Sequence, residues 1–306
     1  MRGGRTLIGD MQIEGGNLDH LESINLQEVT ILVGEDTGVG NQVLRSIYCY
    51  FNTGEKFNLG NSTTIRINGE VIATDAYEVL YLSPNIDADY LIKITKKSLL
   101  GNCLENIFDE ISEEIKEQGF LDFKTVFLAQ LNDKCHELGI KGVMSDINFS
   151  VISKILDWEF TDGRLLNELG TFELKILAIN LFRRLSTRKR KLLIVDLPEY
   201  GISEREYEDL LQLIKENSKA INNTIIYTGR KNVINEWSSI YHYHFISKNH
   251  IWGMEDFDEI LYDIKEFTGK TDEKRITEEF VTQIFHEEQF VNQYPYLISK
   301  YFMLDN

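Results

Sequence analysis

The sequence predicts an α/β fold: a mixed, largely parallel sheet with a helical insertion and a helical C-terminal extension. Three observations predict it. Apolar, β-branched runs recur at 29–33 (VTILV), 191–196 (KLLIVD) and 223–228 (NTIIYT), as in strands covered on both faces. Helix-patterned segments at 41–52, 171–186 and 203–220 alternate with them in βαβ order. From Leu99 to about Leu156 the apolar spacing turns helical, with acidic residues in the gaps. Residues 1–98 and 157–252 therefore read as a head, 99–156 as an inserted helical subdomain and 253–306 as the extension.

A chain of 306 residues suffices for two domains, or for one domain with an insertion. No stretch approaches the roughly 20 apolar residues of a membrane span. The start, MRGGRTLIGD, lacks the apolar core of a secretory signal and reads as irregular, with structure expected from about Met11. Cys49, Cys103 and Cys135 are odd in number and share no metal-type spacing. They read as reduced, core-filling thiols of a cytoplasmic protein. The net charge of −17 speaks against general nucleic-acid stickiness but leaves room for a local basic groove.

Taken in order, residues 11–33 read as short strands, with Leu18, Leu21, Ile24 and Leu26 leading into the run at 29–33. TTIRINGEVI (63–72) alternates apolar and polar residues across Asn68-Gly69, a hairpin signal. EVLYLSP (78–84) and YLIKIT (90–95) read as further strands. In the insertion Ile107, Ile111 and Ile115 recur every fourth residue, and Phe123, Val126, Phe127 and Leu131 follow suit, predicting two or three amphipathic helices. The tail is helical at 255–267, 275–291 and 294–302, with Phe280, Phe285, Phe290, Tyr294 and Tyr301 as anchors. Such helices pack on their own chain or serve an oligomer contact.

Residues 29–48, VTILVGEDTGVGNQVLRSIY, have the strand–glycine turn–helix order of a P-loop. In that motif backbone N–H groups cradle phosphates, a Lys reaches them and a Ser or Thr hydroxyl holds Mg²⁺. Gly34, Gly38 and Gly40 keep the loop character, but Asn41 and Gln42 stand where Lys and Ser/Thr belong. Asn is neutral and short, and Gln offers an amide to a metal that needs a hydroxyl. Five residues separate Gly34 from Gly40, one more than the motif has. The loop and Asp196 and Glu199 therefore read as vestigial nucleotide-site residues.

KLLIVDLPEYGIS (191–203) is similar to the Walker B strand and D-loop of the ABC/SMC/RecF class, with Asp196, Pro198, Glu199, Gly201 and Ser203 in place. Leu197 replaces the glutamate that polarises the attacking water, and a leucine can neither accept a proton nor orient water. Upstream, ELGTFELKILAINLF (168–182) matches the signature segment at Leu169 and Glu173, while Gly170 lacks a hydroxyl and Phe172 puts a ring where backbone must approach phosphate. Downstream, IIYTGRKN (225–232) keeps Thr228 of a Thr-His switch and has Gly229 for the histidine. An unrelated βαβ protein with a glycine-rich turn is the plainer alternative. Four motifs in order, each without its chemical residue, favour a degenerate ABC/SMC/RecF-type P-loop head that is not an enzyme: a pseudo-ATPase.

Arg183, Arg184, Arg188, Lys189, Arg190 and Lys191 fall within nine residues of an otherwise acidic chain. Cations at a helix C-terminus offset its dipole, which accounts for two or three of them. The density also suits salt-sensitive, sequence-independent contacts to DNA phosphates. Lys93, Lys96 and Lys97 form a weaker second group. Tyr241-His242-Tyr243-His244 puts two histidines on one strand face without a third ligand nearby, and His286-Glu287-Glu288-Gln289-Phe290 breaks the zincin pattern at Phe290. No metal site is expected from these residues.

With these motifs the chain resembles the long form of the degenerate ABC/SMC-like proteins of bacterial type II-A CRISPR loci that take part in spacer acquisition. The likeness rests on GEDTGVGNQ, KLLIVDLPEYGIS, NTIIYTGR, the helical insertion and the C-terminal helices. It implies a homotetrameric ring that hydrolyses no ATP and encircles double-stranded DNA ends in a basic lumen. It also implies partnership with the integrase proteins and effector nuclease of the locus. Short-form members bind structural calcium; the resemblance alone brings calcium into view, and no other cofactor is expected. The rival reading is an SMC/RecF-like ATP-binding protein in which Asp196 or Glu199 holds Mg²⁺. A third is an interaction protein that engages a partner through its C-terminal helices.

Overall fold

The computed structural model describes residues 6–15, 18, 23–34, 37–52, 63–86, 98–117, 163–165, 168–229, 242–247 and 250–254, with single positions elsewhere. The chain divides into two compact units, one of Met1–Ile86 with Thr187–Asn306 and one of Asp87–Ser186. The second unit is wider than the insertion expected at 99–156. It takes in helix 171–184, because that helix packs on the first helix of the insertion.

The first unit holds two sheets. The larger contains β3 (Val29–Gly34), β6 (Tyr77–Leu82), β7 (Arg190–Asp196), β8 (Asn223–Thr228), β9 (His242–Ser247) and β10 (His250–Met254). Its order is β10-β9-β3-β8-β7-β6, parallel throughout except for the β9–β10 hairpin. β3 and β8 are buried at every position, which is why both read as unbroken apolar runs. The smaller sheet is antiparallel, in the order β2 (Ile24–Leu26), β1 (Gly9–Glu14), β4 (Thr64–Ile67), β5 (Glu70–Val71). Asn68 and Gly69 join β4 to β5 with φ of 52° and 80°, the double positive φ of a type I′ turn. Met11, Ile24, Leu26, Ile65 and Ile67 from this sheet meet Leu32, Ile194, Ile225 and Tyr227 of the larger one in a single core.

Helix α1 (Thr37–Phe51) follows β3, and α4 (Glu204–Asn217) follows β7. α4 opens with a reciprocal cap: Ser203 Oγ accepts from the Glu206 amide, and the Glu206 carboxylate accepts from Ser203 N–H at 2.7 Å. In the second unit α2 (Leu99–Glu117) packs on α3 (Thr171–Arg184), and the Cys103 thiol donates to Leu181 O at 3.1 Å. Ser98 caps α2 by accepting from Gly101 N–H at 3.0 Å.

Four expectations differ in detail. Strand β1 starts at Gly9 rather than Met11. α1 starts at Thr37 rather than 41, so Gly38 and Gly40 are helical. Leu91 is helical and buried where a strand over 90–95 was expected, and short apolar runs do not separate these two states. Ile107 and Ile111 of α2 are 39% and 46% exposed, so the expected stripe is only partly covered. Residues 92–97, most of 118–162 and nearly all of the expected C-terminal helices, together with Cys135, lie outside the described residues.

Candidate functional site

The motif residues gather at the carboxyl edge of the larger sheet, where α/β folds hold their ligands. β3 ends at Gly34 and α1 begins at Thr37, which leaves two residues between strand and helix. Gly34 and Gly40 are each fixed by a close neighbour. A Cβ on Gly34 would lie 2.6 Å from Ile246 O, and one on Gly40 would lie 2.4 Å from the Tyr227 ring. Tyr227 reaches this corner from β8, fully buried, and its hydroxyl donates to Gly34 O at 3.2 Å. Both glycines are thus required by protein packing. Gly38 is exposed in the first turn of α1, and Asn41 and Gln42 are half-buried just beyond it.

Asp196 ends β7 and is 2% exposed. Its Oδ2 accepts from the Tyr81 hydroxyl of β6 at 2.6 Å. Oδ1 is buried without a hydrogen-bond partner among the described residues. Burial pushes the Asp196 carboxyl above the usual carboxylate range, assisted by Glu199 and opposed by the Tyr81 hydrogen bond and the Arg45 charge. The Tyr81 phenol is also pushed up, first by burial and then by its bond to Asp196. Arg45 stands one helical turn beyond Asn41 on α1 and is exposed.

Leu197, in the place of the water-polarising glutamate, has φ of 47°, a left-handed conformation costly for a bulky side chain. Its N–H donates to Tyr227 O at 2.8 Å and its side chain packs on the core. Two residues on, Glu199 accepts from Gly229 N–H at 2.8 Å through Oε1 and from the Thr228 hydroxyl at 3.1 Å through Oε2. With the Thr228 proton so used, the buried Tyr207 hydroxyl, 3.3 Å away, is the donor to Thr228 Oγ1. The ends of β7 and β8 are therefore tied by a carboxylate of the chain itself.

The signature segment lies in the second unit. Gly170 precedes α3 and donates its N–H to Glu173 Oε2 at 3.0 Å, and Glu173 also pairs with Arg164. The carboxylate thus engages a helix N-terminus that has no hydroxyl cap.

The basic run divides between the units. Arg183 and Arg184 are exposed at the end of α3 in one, and Arg188 and Lys189 are exposed before β7 in the other. Lys189 Nζ lies 3.8 Å from Glu78 Oε2, an exposed pair of small energetic weight. Arg190 is half-buried, with its charge beside Tyr77. Lys191 is 9% exposed inside β7, facing Glu78 across the ladder, so it presents little surface to a ligand. Lys93, Lys96 and Lys97 lie outside the described residues.

His244 is buried and its Nε2 accepts from Asn25 N–H at 2.9 Å, so that nitrogen is engaged within the fold. Among the described residues no group of three or more His, Cys, Asp or Glu side chains is placed to hold a metal ion, and no helix is long and apolar enough to cross a membrane. Tyr227, Tyr81 and Arg45 are the site residues that the motifs did not flag. Arg45 carried a signal, its four-residue spacing from Asn41; the tyrosines sit in strands and carried none.

No protein-family model and no curated protein matches the chain. Among solved structures it is similar to Stu0660 of Streptococcus thermophilus, at 16% identity and a TM-score of 0.60 over 86% of this chain and 81% of that one. It aligns more loosely with cbiO1 from Clostridium perfringens, part of the ABC transporter complex cbiONQ, at 14% identity, 81% and 88% coverage and a TM-score of 0.44. MJ1267, an ATP-binding cassette of an ABC transporter in its ADP conformation, aligns at 16% identity, 85% and 94% coverage and a TM-score of 0.44. At these identities the likeness is one of fold, an α/β head with a largely parallel sheet.

Proposed function

We propose that the chain is a non-catalytic, oligomeric scaffold for double-stranded DNA, with a P-loop head that has lost nucleotide chemistry. The observation that carries this is the inward engagement of the edge where a nucleotide would sit. Tyr227 fills the space beside Gly40, Tyr81 bonds Asp196, and Glu199 bonds Gly229 and Thr228. Asn41, in the place of the motif's Lys, is neutral. Asn41 and Gln42 supply neither the cation nor the hydroxyl that a Mg²⁺–nucleotide complex needs. DNA as the ligand is supported by Arg183, Arg184, Arg188 and Lys189, all exposed on an otherwise acidic chain. Lys/Arg contacts to phosphates would supply affinity without sequence preference.

The resemblance of GEDTGVGNQ and KLLIVDLPEYGIS to the CRISPR adaptation family extends the proposal. The chain would act in the cytoplasm as a tetrameric ring on DNA ends during spacer acquisition, beside integrase proteins and the effector nuclease. Calcium enters by that resemblance alone. One observation favours the SMC/RecF-like alternative: Asp196 Oδ1, buried and unpartnered among the described residues, is an acceptor that a hydrated Mg²⁺ would satisfy. The test is binding of linear duplex DNA and of a closed circle of equal length across a salt series. The proposal expects the linear form to bind, with affinity falling steeply with salt, and the circle to bind worse. No binding of linear duplex at low salt would remove DNA from the account.

A further inference from the structure

Glu199 makes a contact that packing alone does not demand. Its two oxygens accept separately from a hydroxyl, Thr228, and a backbone amide, Gly229. Both donors stand where β8 ends, and the Thr228 hydroxyl is oriented by Tyr207 from α4 behind it. Two donors converging on the two oxygens of one carboxylate make a receptor for a small oxyanion, and charge-assisted bonds of this kind are stronger than neutral ones. Gly229 is exposed, so the receptor opens to solvent, and a Cβ there would stand 3.4 Å from Glu199 Oε1. The carboxylate arrives from the turn after β7, where Tyr200 N–H donates to Leu197 O at 3.0 Å.

We propose that Glu199 is a tethered anion: it occupies an oxyanion receptor formed by the Thr228 hydroxyl and the Gly229 amide, and this receptor takes inorganic phosphate once the side chain is cut back. The inference rests on reading this edge as non-catalytic, and it is independent of DNA. The internal carboxylate holds the ends of β7 and β8 together without any phosphate ligand. At this receptor the native chain is therefore indifferent to phosphate.

The test compares the native chain, Glu199→Ala and Glu199→Gln by thermal unfolding in sodium phosphate and in sodium chloride of matched ionic strength and pH. The native chain's own difference between the two salts is the reference, against which the variants' shifts are read. Glu199→Ala unfolds about 2–5 °C lower in chloride and recovers about half of that loss in about 50 mM phosphate. Glu199→Gln, whose amide still fills the receptor, recovers less. Adding Thr228→Val to Glu199→Ala removes one donor and abolishes the recovery. An alanine variant that loses nothing, that recovers equally in chloride, or that keeps its phosphate response without the Thr228 hydroxyl overturns the proposal. If the alanine variant does not fold, Glu199→Gln and Thr228→Val are combined. The Thr228→Val loss should then be smaller in the Gln background, and equal losses in both overturn the proposal. ATP turnover by the native chain would remove the non-catalytic reading on which the inference rests, whereas the salt comparison, in which no nucleotide enters, tests the receptor itself.

Discussion

The carboxyl edge of the larger sheet and the basic run at 183–191 treat their polar groups in opposite ways. At the edge, Asp196, Glu199, Thr228, Gly229 and Gly34 all bond within the chain. In the run, Arg183, Arg184, Arg188 and Lys189 are exposed, and the ion pair of Lys189 with Glu78 is a loose one. A glycine of a loop motif can therefore be required by packing alone, as Gly40 is by the Tyr227 ring that lies on it. A charge cluster that adds little to packing needs another reason to be there, and the proposed phosphate contacts would supply one.

The contrast breaks first at Gly40. Alanine there gains about 1 kcal/mol of helix propensity, yet its Cβ overlaps a ring that is buried and anchored to Gly34 O. Gly40→Ala should lose about 2 kcal/mol in urea unfolding, and less in a Tyr227→Ala background. A neutral Gly40→Ala would return that glycine to a ligand-binding role.

The basic run should behave the other way. Arg183→Ala with Arg184→Ala, and separately Arg188→Ala with Lys189→Ala, should leave stability within about 0.5 kcal/mol. Each pair should weaken duplex binding about tenfold and flatten the log–log salt slope by about 2. A pair that lowers stability but leaves DNA affinity unchanged would make those cations structural and erase the contrast.

A smaller effect belongs to Tyr227→Phe, which removes the bond to Gly34 O and should cost about 1 kcal/mol in the same urea titration. The smallest is a pH dependence. Asp196 titrates higher in the folded than in the unfolded chain, so the native state holds its proton more tightly. Relative to Asp196→Asn, the native chain should be most stable in acid and lose ground as pH rises from about 4. The difference levels off above the folded-state titration. A difference that grows with pH would mean that the charged carboxylate is favoured by its surroundings.

The strands were legible because their causes are local. β3, β7 and β8 are continuous apolar runs, and Asn68-Gly69 announces its hairpin. The start of α1 was not legible, since Gly38 and Gly40 argue against helix and the partner that requires Gly40 is Tyr227, far along the chain. The pairing of Tyr81 with Asp196 spans 115 residues and depends on β6 lying beside β7, a parallel neighbour that no turn specifies. Lys191 read as part of a charge run, but β7 starts at Arg190 and carries its side chain into the sheet. The departures from the motif patterns were readable at Asn41, Leu197 and Gly229. The contacts made at this edge were not, because each joins segments distant in sequence.

The central claim is that the chain's own side chains occupy this edge in place of a nucleotide, and titration of the native protein with Mg²⁺–ATP, read by heat of binding and phosphate release, tests it most directly. The account predicts affinity weaker than about 1 mM and no phosphate release above the protein-free rate. Saturable micromolar binding, or turnover abolished by Asp196→Asn, would contradict it.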